Sequence, residues 1–183
     1  MRIITGAARG RKLKTPKGDS LDIRPTAESV KEAIFSAIQF EIEGGTVADL
    51  FSGTGQLGIE ALSRGASRAF FSDNSPESVN IIRENISLCG FSDKAEVSSL
   101  SAAAFLKKTT ARFDIAFMDP PYGQDLLNRT LPVLVQKMNT GGIIVCEHEK
   151  EYKINETCGD FKIRRTYPHG KTYITIYENK EAT

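Results

Sequence analysis

Asp119-Pro120-Pro121-Tyr122 is the stretch whose residue types could do chemistry. It follows Phe113-Asp-Ile-Ala-Phe-Met118, a largely apolar run of strand length. Each proline fixes its own φ and lacks a backbone donor, and Pro120 is further restricted by the proline after it. The result is a stiff corner that holds an acid and an aromatic ring at the carboxyl end of a strand. Open α/β sheets place their ligands at such ends. The set suits alkylation of a planar amine. The lone pair of an amine on an aromatic ring is delocalised, so the nitrogen is a poor nucleophile. Acceptors aimed at its N–H bonds favour a pyramidal nitrogen, and a nearby negative charge offsets the positive charge that develops on it. Asp119 and the Pro120 carbonyl supply acceptors, Pro121 stiffens the turn, and Tyr122 supplies a ring on which a base can stack.

The elements that must position this corner are read from the pattern of the chain. Thr46–Phe51, Ala69–Asp73, Ala95–Ser98, Phe113–Met118 and Gly142–Glu147 read as strands, with helical patterns between them. Alternation of this kind predicts a parallel α/β sheet. A helix is expected from Thr26, as N-cap, to Gly44-Gly45, with Val30, Ile34, Ala37 and Ile38 on one face. Ser75-Pro76 reads as the start of another helix that Gly90 closes. Gln124–Met138 reads as helical with a break at Pro132, ended by Gly141-Gly142. Phe161–Tyr167 and Tyr173–Tyr177 alternate and are joined through Pro168-His169-Gly170, which predicts a closing hairpin.

The first strand runs into Gly53-x-Gly55-x-x-Gly58, and Asp73 lies 20 residues after Gly53. This matches a nucleotide-binding turn with a ribose-binding acid. The pattern alone fits nicotinamide enzymes as well, but Asp49 sits inside the strand, where a dinucleotide fold has apolar packing. S-adenosylmethionine has no pyrophosphate and carries an ammonium group that needs acceptors, so Asp49 favours that ligand.

Composition excludes other classes. The chain has 183 residues, 40% hydrophobic and 26% charged, as ordinary globular domains do. It has no apolar run of membrane-spanning length and no secretory signal, so a cytoplasmic protein is expected. Cys89, Cys146 and Cys158 form no Cys-x-x-Cys pair, and His148 and His169 are isolated and read as surface or loop residues. No disulfide framework or metal site is therefore expected. Residues 1–18 hold six basic side chains and no acid, leaving 18 basic against 23 acidic in the remainder. A basic head with no evident partner in the chain, on a mildly acidic body, is a polyanion-binding signature. Met1–Gly6 and Gly10–Thr15 read as a small hairpin that carries it. Lys162, Arg164 and Arg165 form a second basic cluster, read as an exposed strand face.

Val47-Ala-Asp-Leu-Phe-Ser-Gly-Thr-Gly55 together with Asp119-Pro-Pro-Tyr122 resembles the class I S-adenosylmethionine-dependent N-methyltransferases. Met1-Arg-Ile-Ile-Thr-Gly6, Gly10-Arg-Lys-Leu-Lys14, Arg24-Pro-Thr26, Lys31-Glu-Ala-Ile-Phe35 and Gly170-Lys-Thr-Tyr-Ile-Thr-Ile-Tyr177 narrow this to a resemblance to the RsmD family, over nearly the whole chain. The resemblance implies a Rossmann-like α/β fold: a seven-stranded, mostly parallel sheet with helices on both faces and the hairpin as its last two strands. It implies a division into a basic N-terminal β-hairpin extension (1–25) and a methyltransferase domain (26–183). It implies transfer of a methyl group from S-adenosylmethionine to the exocyclic N2 amine of a guanine in 16S ribosomal RNA. The expected partner is that RNA or a small-subunit assembly particle, and the protein is expected to be a monomer without metal.

The site residues expected are Asp119, Pro120, Pro121 and Tyr122 for catalysis. Asp49, Phe51, Gly53, Gly55, Asp73, Asn74, Ser101 and Ala102 are expected at the cofactor, and Arg9, Arg11, Lys12, Lys14 and Arg24 at the RNA. Ser101 stands where the family usually has an acid near the adenine, and Lys31 replaces a usual arginine. The alternatives are an adenine-N6 DNA methyltransferase, a nicotinamide oxidoreductase and a non-catalytic RNA-binding protein. The first lacks room for a target-recognition domain. The second leaves the Pro-Pro corner idle, and the third leaves the pocket idle.

Overall fold

The computed structural model describes residues 1–16 and 28–179. Arg24 and the expected cap Thr26 lie outside the described residues. Eight strands form one sheet in the order β3-β2-β1-β4-β5-β8-β7-β6. They are β1 (Thr46–Leu50), β2 (Arg68–Ser72), β3 (Ala95–Ser98), β4 (Phe113–Met118), β5 (Met138–Glu149), β6 (Thr157–Cys158), β7 (Phe161–His169) and β8 (Thr172–Glu178). The first five are parallel and the last three antiparallel. Strand order reverses between β1 and β4, which pair with Leu50 opposite Met118. The Gly53 turn and the Asp119 corner therefore leave the sheet side by side, at the crevice where such sheets bind ligands. The eighth strand, beyond the seven expected, is the two-residue β6, which pairs with the start of β7.

Alternation along the strands divides the core in two. Val47, Phe71, Ile115, Phe117, Val145 and Ile176 face one way, against α1 (Glu28–Ala37), α2 (Gln56–Ser63) and α3 (Pro76–Cys89). Ala48, Leu50, Phe70, Ala116, Met118 and Cys146 face the other, against α4 (Ala102–Lys108) and α5 (Leu126–Leu134). Helices thus cover both faces, as a sheet whose parallel strands are buried requires. Ser75 caps α3 by accepting from the Ser78 amide, Pro76 occupies its first turn, and Gly90 closes it in the left-handed conformation.

Three expected boundaries move. α1 ends at Ala37, well before Gly44-Gly45, and residues 38–45 form successive turns held by the Glu41 amide on Ile38 and the Gly45 amide on Ile42. Pro132 lies inside α5 without breaking it; the helix runs two residues further and then tightens into a 3-10 turn at Val135–Lys137. Gly141-Gly142 does not end that helix but sits within β5, which begins at Met138. Gly141 has φ 76°, and the pairing with β4 is irregular there. Glycine served as a kink in a strand rather than as a helix stop.

The N-terminal segment folds back on itself through one isolated bridge between Arg2 and Lys12, with the Ile3 amide donating to Arg11 at 2.9 Å, and without the two strands of the expected hairpin. It is packed onto the α1–α3 face: Ile3, Ala8 and Leu13 are buried in the core there. A Cβ on Gly6 would stand 1.7 Å from the Ser63 carbonyl, so only glycine permits this approach.

Candidate active site

Parallel strands bring most of the expected site residues to one edge of the sheet. Phe51, Gly53 and Gly55 follow β1, Asp73 and Asn74 follow β2, Ser101 and Ala102 follow β3, and Asp119 follows β4. The turn after β1 is the most constrained. Phe51 has φ 62°, alone among the described non-glycine residues in being positive. Strain of this kind costs about 1–3 kcal/mol and gathers at functional sites. Ser52 ties the turn down: its hydroxyl donates to the Asp49 carbonyl at 2.5 Å and accepts from the Ser72 amide at 3.0 Å. A Cβ on Gly58 would lie 2.4 Å from the Phe71 ring, so this glycine lets α2 close on the sheet.

Two acids hold the turn from below and beside. Asp49 is buried, and its Oδ2 accepts the Gly58 amide at 2.9 Å. Burial raises its pKa to about 8; the Gly58 amide opposes that rise and the charge on Asp73 adds to it. Asp73 is half-buried; its Oδ2 accepts the Gly53 amide at 2.8 Å and its Oδ1 the Ser75 amide at 2.9 Å. Each oxygen keeps a second lone pair. Ser101 caps α4, accepting from the Ala104 amide, and Ala102 is buried behind it. An acid would cap the same helix, which accounts for serine being accommodated at this position. The glycine amides are taken up inside the turn, which leaves two carboxylates with spare acceptor sites beside it, a set that fits the hydroxyls and ammonium of an adenosyl amino acid.

The Pro-Pro corner stands on the other side of the crevice. Asp119 and Tyr122 are half-buried, Pro120 is buried and Pro121 exposed. A shallow depression beside the corner is lined by Pro120, Pro121, Tyr122, Glu147, His148 and Tyr152 among others. The Tyr122 hydroxyl donates to Glu147 Oε1 at 3.3 Å. Burial pushes the Glu147 carboxyl above the usual carboxylate range, opposed by the Tyr122 and Thr172 hydroxyls and by His169. His148 is not the surface or loop residue expected. It is buried in β5, donating from Nδ1 to the Glu149 carbonyl and accepting at Nε2 from Thr175, and its burial holds the ring below the ordinary histidine pKa. No cluster of three or more metal-ligating side chains is present among the described residues.

Arg9, Arg11, Lys12 and Lys14 are all exposed on the N-terminal segment. The expectation that this basic head has no partner in the chain does not hold for two members. Arg2 pairs with Glu28 at 3.3 Å and Lys14 with Glu84 at 2.7 Å. In the second cluster, Arg164 pairs with Glu41 at 2.8 Å and Arg165 lies over the Tyr167 ring.

Sequence reasoning missed three residues that organise the site. Glu60 is fully buried on α2; Oε2 accepts the Ile4 amide at 2.8 Å and meets Lys31 at 3.2 Å, while Oε1 accepts the Thr5 amide at 3.0 Å and Arg64 at 2.9 Å. Lys31, itself buried, also donates to the Arg2 carbonyl at 2.5 Å. Asn85 on α3 accepts the Lys14 amide and donates to the Lys14 and Thr54 carbonyls, which stitches the N-terminal segment to the glycine turn. Glu147 is the third. Its signal was present, since an acid at the carboxyl end of a buried strand is what drew attention to Asp73 and Asp119.

Comparison with known proteins places this architecture. The family model described as Conserved hypothetical protein 95 matches residues 1–178. The chain is 36% identical to the YlbH protein of Bacillus subtilis, covering 98% of this chain and 100% of that one. It is 30% identical to Ribosomal RNA small subunit methyltransferase D of Escherichia coli, covering 98% and 90%. Among solved structures, the yhhF protein of Escherichia coli superposes with a TM-score of 0.88 at 27% identity, covering 98% of both chains. The protein belongs to the RsmD family of ribosomal RNA methyltransferases.

Proposed function

We propose that the protein transfers a methyl group from S-adenosylmethionine to the exocyclic N2 amine of a guanine in 16S ribosomal RNA. The observation that carries this reading is the placement of two acid-bearing turns on either side of the β1–β4 switch point, with Leu50 and Met118 paired just before them. Asp49, Phe51, Gly53, Gly55, Asp73, Asn74, Ser101 and Ala102 hold the cofactor. Asp73 takes the ribose hydroxyls, and Asp49 serves the ammonium group. S-adenosylmethionine, when bound, would supply a methyl carbon activated by its sulfonium: the N–C bond would form as the S–CH3 bond breaks in line, with the neutral thioether as leaving group.

The residues of the corner prepare the amine. Asp119 and the Pro120 carbonyl accept its N–H bonds and favour the pyramidal nitrogen, and Tyr122 offers a face to the base. Asp119 is not needed as a strong base. Methylation leaves the nitrogen cationic, and its proton then departs to water. The base must leave its stack to reach the corner, or be presented unstacked by the RNA.

Residues 1–25 form the RNA-binding part and 26–183 the catalytic part of a cytoplasmic monomer. The exposed Arg9, Arg11 and Lys12, together with Arg24 and Lys14, contact phosphates, Lys14 exchanging its pair with Glu84 for the RNA. The substrate is the RNA or a small-subunit assembly particle. Labelled methyl from S-adenosylmethionine offered with 16S RNA, a small-subunit particle or DNA tests this reading. Transfer to either RNA form is expected; transfer to DNA alone, or to none, contradicts it.

A further inference from the structure

We propose that Glu147 selects guanine at this site, accepting the N1–H of the target base while Asp119 takes its exocyclic amine. The inference rests on the reading above and sharpens it. Cys146 pairs with Met118 in the register of β5 and β4, so Glu147 in β5 is the next residue along from that pair, as is Asp119 just past the end of β4. Glu147 lines the depression that Pro120, Pro121 and Tyr122 form. Its Oε1 is held by the Tyr122 hydroxyl at 3.3 Å, while its Oε2 is buried without a hydrogen-bond partner. The neighbouring Thr172 hydroxyl lies close enough to oppose the rise in the Glu147 pKa, but its one proton goes to the His169 carbonyl at 3.0 Å and Oε2 is left without a hydrogen bond.

A buried acceptor left without a donor costs on the order of 1–3 kcal/mol, and such a group calls for an explanation. A ligand that brings the donor supplies one. Guanine carries N1–H and the N2 amine side by side on its Watson–Crick edge. Adenine carries an unprotonated N1 there, whose lone pair would face the carboxylate. An acceptor level with Asp119 therefore favours guanine and opposes adenine. Drawing on N1–H also leaves more electron density on the amine nitrogen, which helps it attack. Glu147 thus ties base selection to the same ring, Tyr122, on which the base stacks.

The test is a cycle between enzyme and RNA. Single-turnover transfer is measured for the wild type and Glu147→Ala, on small-subunit particles whose acceptor guanosine is either unmodified or N1-methylated. In the wild type, blocking N1 should slow transfer on the order of 100-fold, as losing one aimed group does. In Glu147→Ala, transfer to unmodified guanosine should be slowed to a similar degree, and N1-methylation should add less than about threefold, because the partner of N1–H is already gone. Equal penalties for the N1-methyl group in the two proteins overturn the proposal and leave Glu147 as a support for Tyr122. Unaltered S-adenosylmethionine affinity confirms that the variant is folded, and Glu147→Leu, which also removes both acceptors, repeats the cycle if the alanine variant is not. If the wild type methylates no guanosine, the functional reading fails; if it does and the penalties match, only the role of Glu147 fails.

Discussion

Glu60 is fully buried and Glu147 half-buried with one oxygen out of reach of water, and their surroundings treat them in opposite ways. Glu60 is saturated: two backbone amides, a lysine and an arginine converge on its two oxygens. Glu147 has one phenol on one oxygen and no hydrogen bond on the other, with the Thr172 hydroxyl and His169 near the carboxyl. A buried charge with every lone pair satisfied is a fixture, costly to disturb and closed to exchange. A half-buried carboxylate that lines a depression and keeps an unfilled acceptor is expensive to keep and can take a donor from a ligand seated there. The first fastens the N-terminal segment to α2; the second stands beside the Pro-Pro corner. The difference separates the part of the molecule that holds its shape from the part that meets a substrate.

The comparison breaks most easily at Glu60. Removing it leaves the buried Lys31 ammonium without its counter-charge, on a group whose burial already lowers its pKa against the pull of Glu60. Glu60→Ala should therefore cost about 3–5 kcal/mol of stability in denaturant unfolding, as breaking a buried pair does. Glu147→Gln removes no ion pair and should shift stability by less than about 1 kcal/mol. Similar losses in the two variants would erase the distinction.

Much of the site could be read from local signals. Asp49, Asp73 and Asp119 each stand in or just after a short apolar run, and the glycines of the turn are spaced within one another's reach. Glu60, Lys31 and Asn85 could not be read so. The Glu60 partners Ile4 and Thr5 lie 56 and 55 residues away in the chain, and Asn85 meets Lys14 across 71. No window along the sequence contains both sides of those contacts. The α5–β5 boundary failed for a different reason. A glycine pair after a helical pattern signals a helix end, but the same pair also suits an irregular strand, and pairing with β4 decided between them.

A second prediction sharpens the contrast between the fixed and the exposed faces of the N-terminal segment. Its apolar side is buried, while Arg9, Arg11 and Lys12 are exposed. Replacing those three together by Gln should flatten the salt dependence of RNA binding by about two units of log–log slope, at roughly 0.7 per phosphate contact for single strands. Filter binding across a salt series measures it, and thermal stability should barely change. Coincident slopes would leave the basic head a solvated surface.

The third and smallest effect concerns Asp49, a buried acid intermediate between the two glutamates, with one amide on it. Its pKa is raised to about 8, so below that pH the protein without ligand holds a proton there. The ammonium of S-adenosylmethionine favours the ionised carboxylate and must displace that proton. Affinity should accordingly climb as pH rises toward about 8 and then level off, by at most about tenfold per unit. Without ligand the sign reverses. The folded chain keeps a proton that the unfolded chain has lost, so this group lowers stability as pH rises from the ordinary carboxylate range to about 8. Calorimetry over pH with the wild type and Asp49→Asn decides it; a flat wild-type profile contradicts it.

The central claim is that the corner after β4 acts on a guanine amine while the turn after β1 holds the methyl donor. Its most direct test supplies labelled methyl as S-adenosylmethionine to small-subunit particles with the wild type and with Asp119→Ala, digests the RNA and identifies the labelled nucleoside. The account predicts N2-methylguanosine from the wild type and on the order of 100-fold less, or lower still, from the variant, with S-adenosylmethionine affinity little changed. Label in an adenosine, or wild-type transfer by Asp119→Ala, would contradict it.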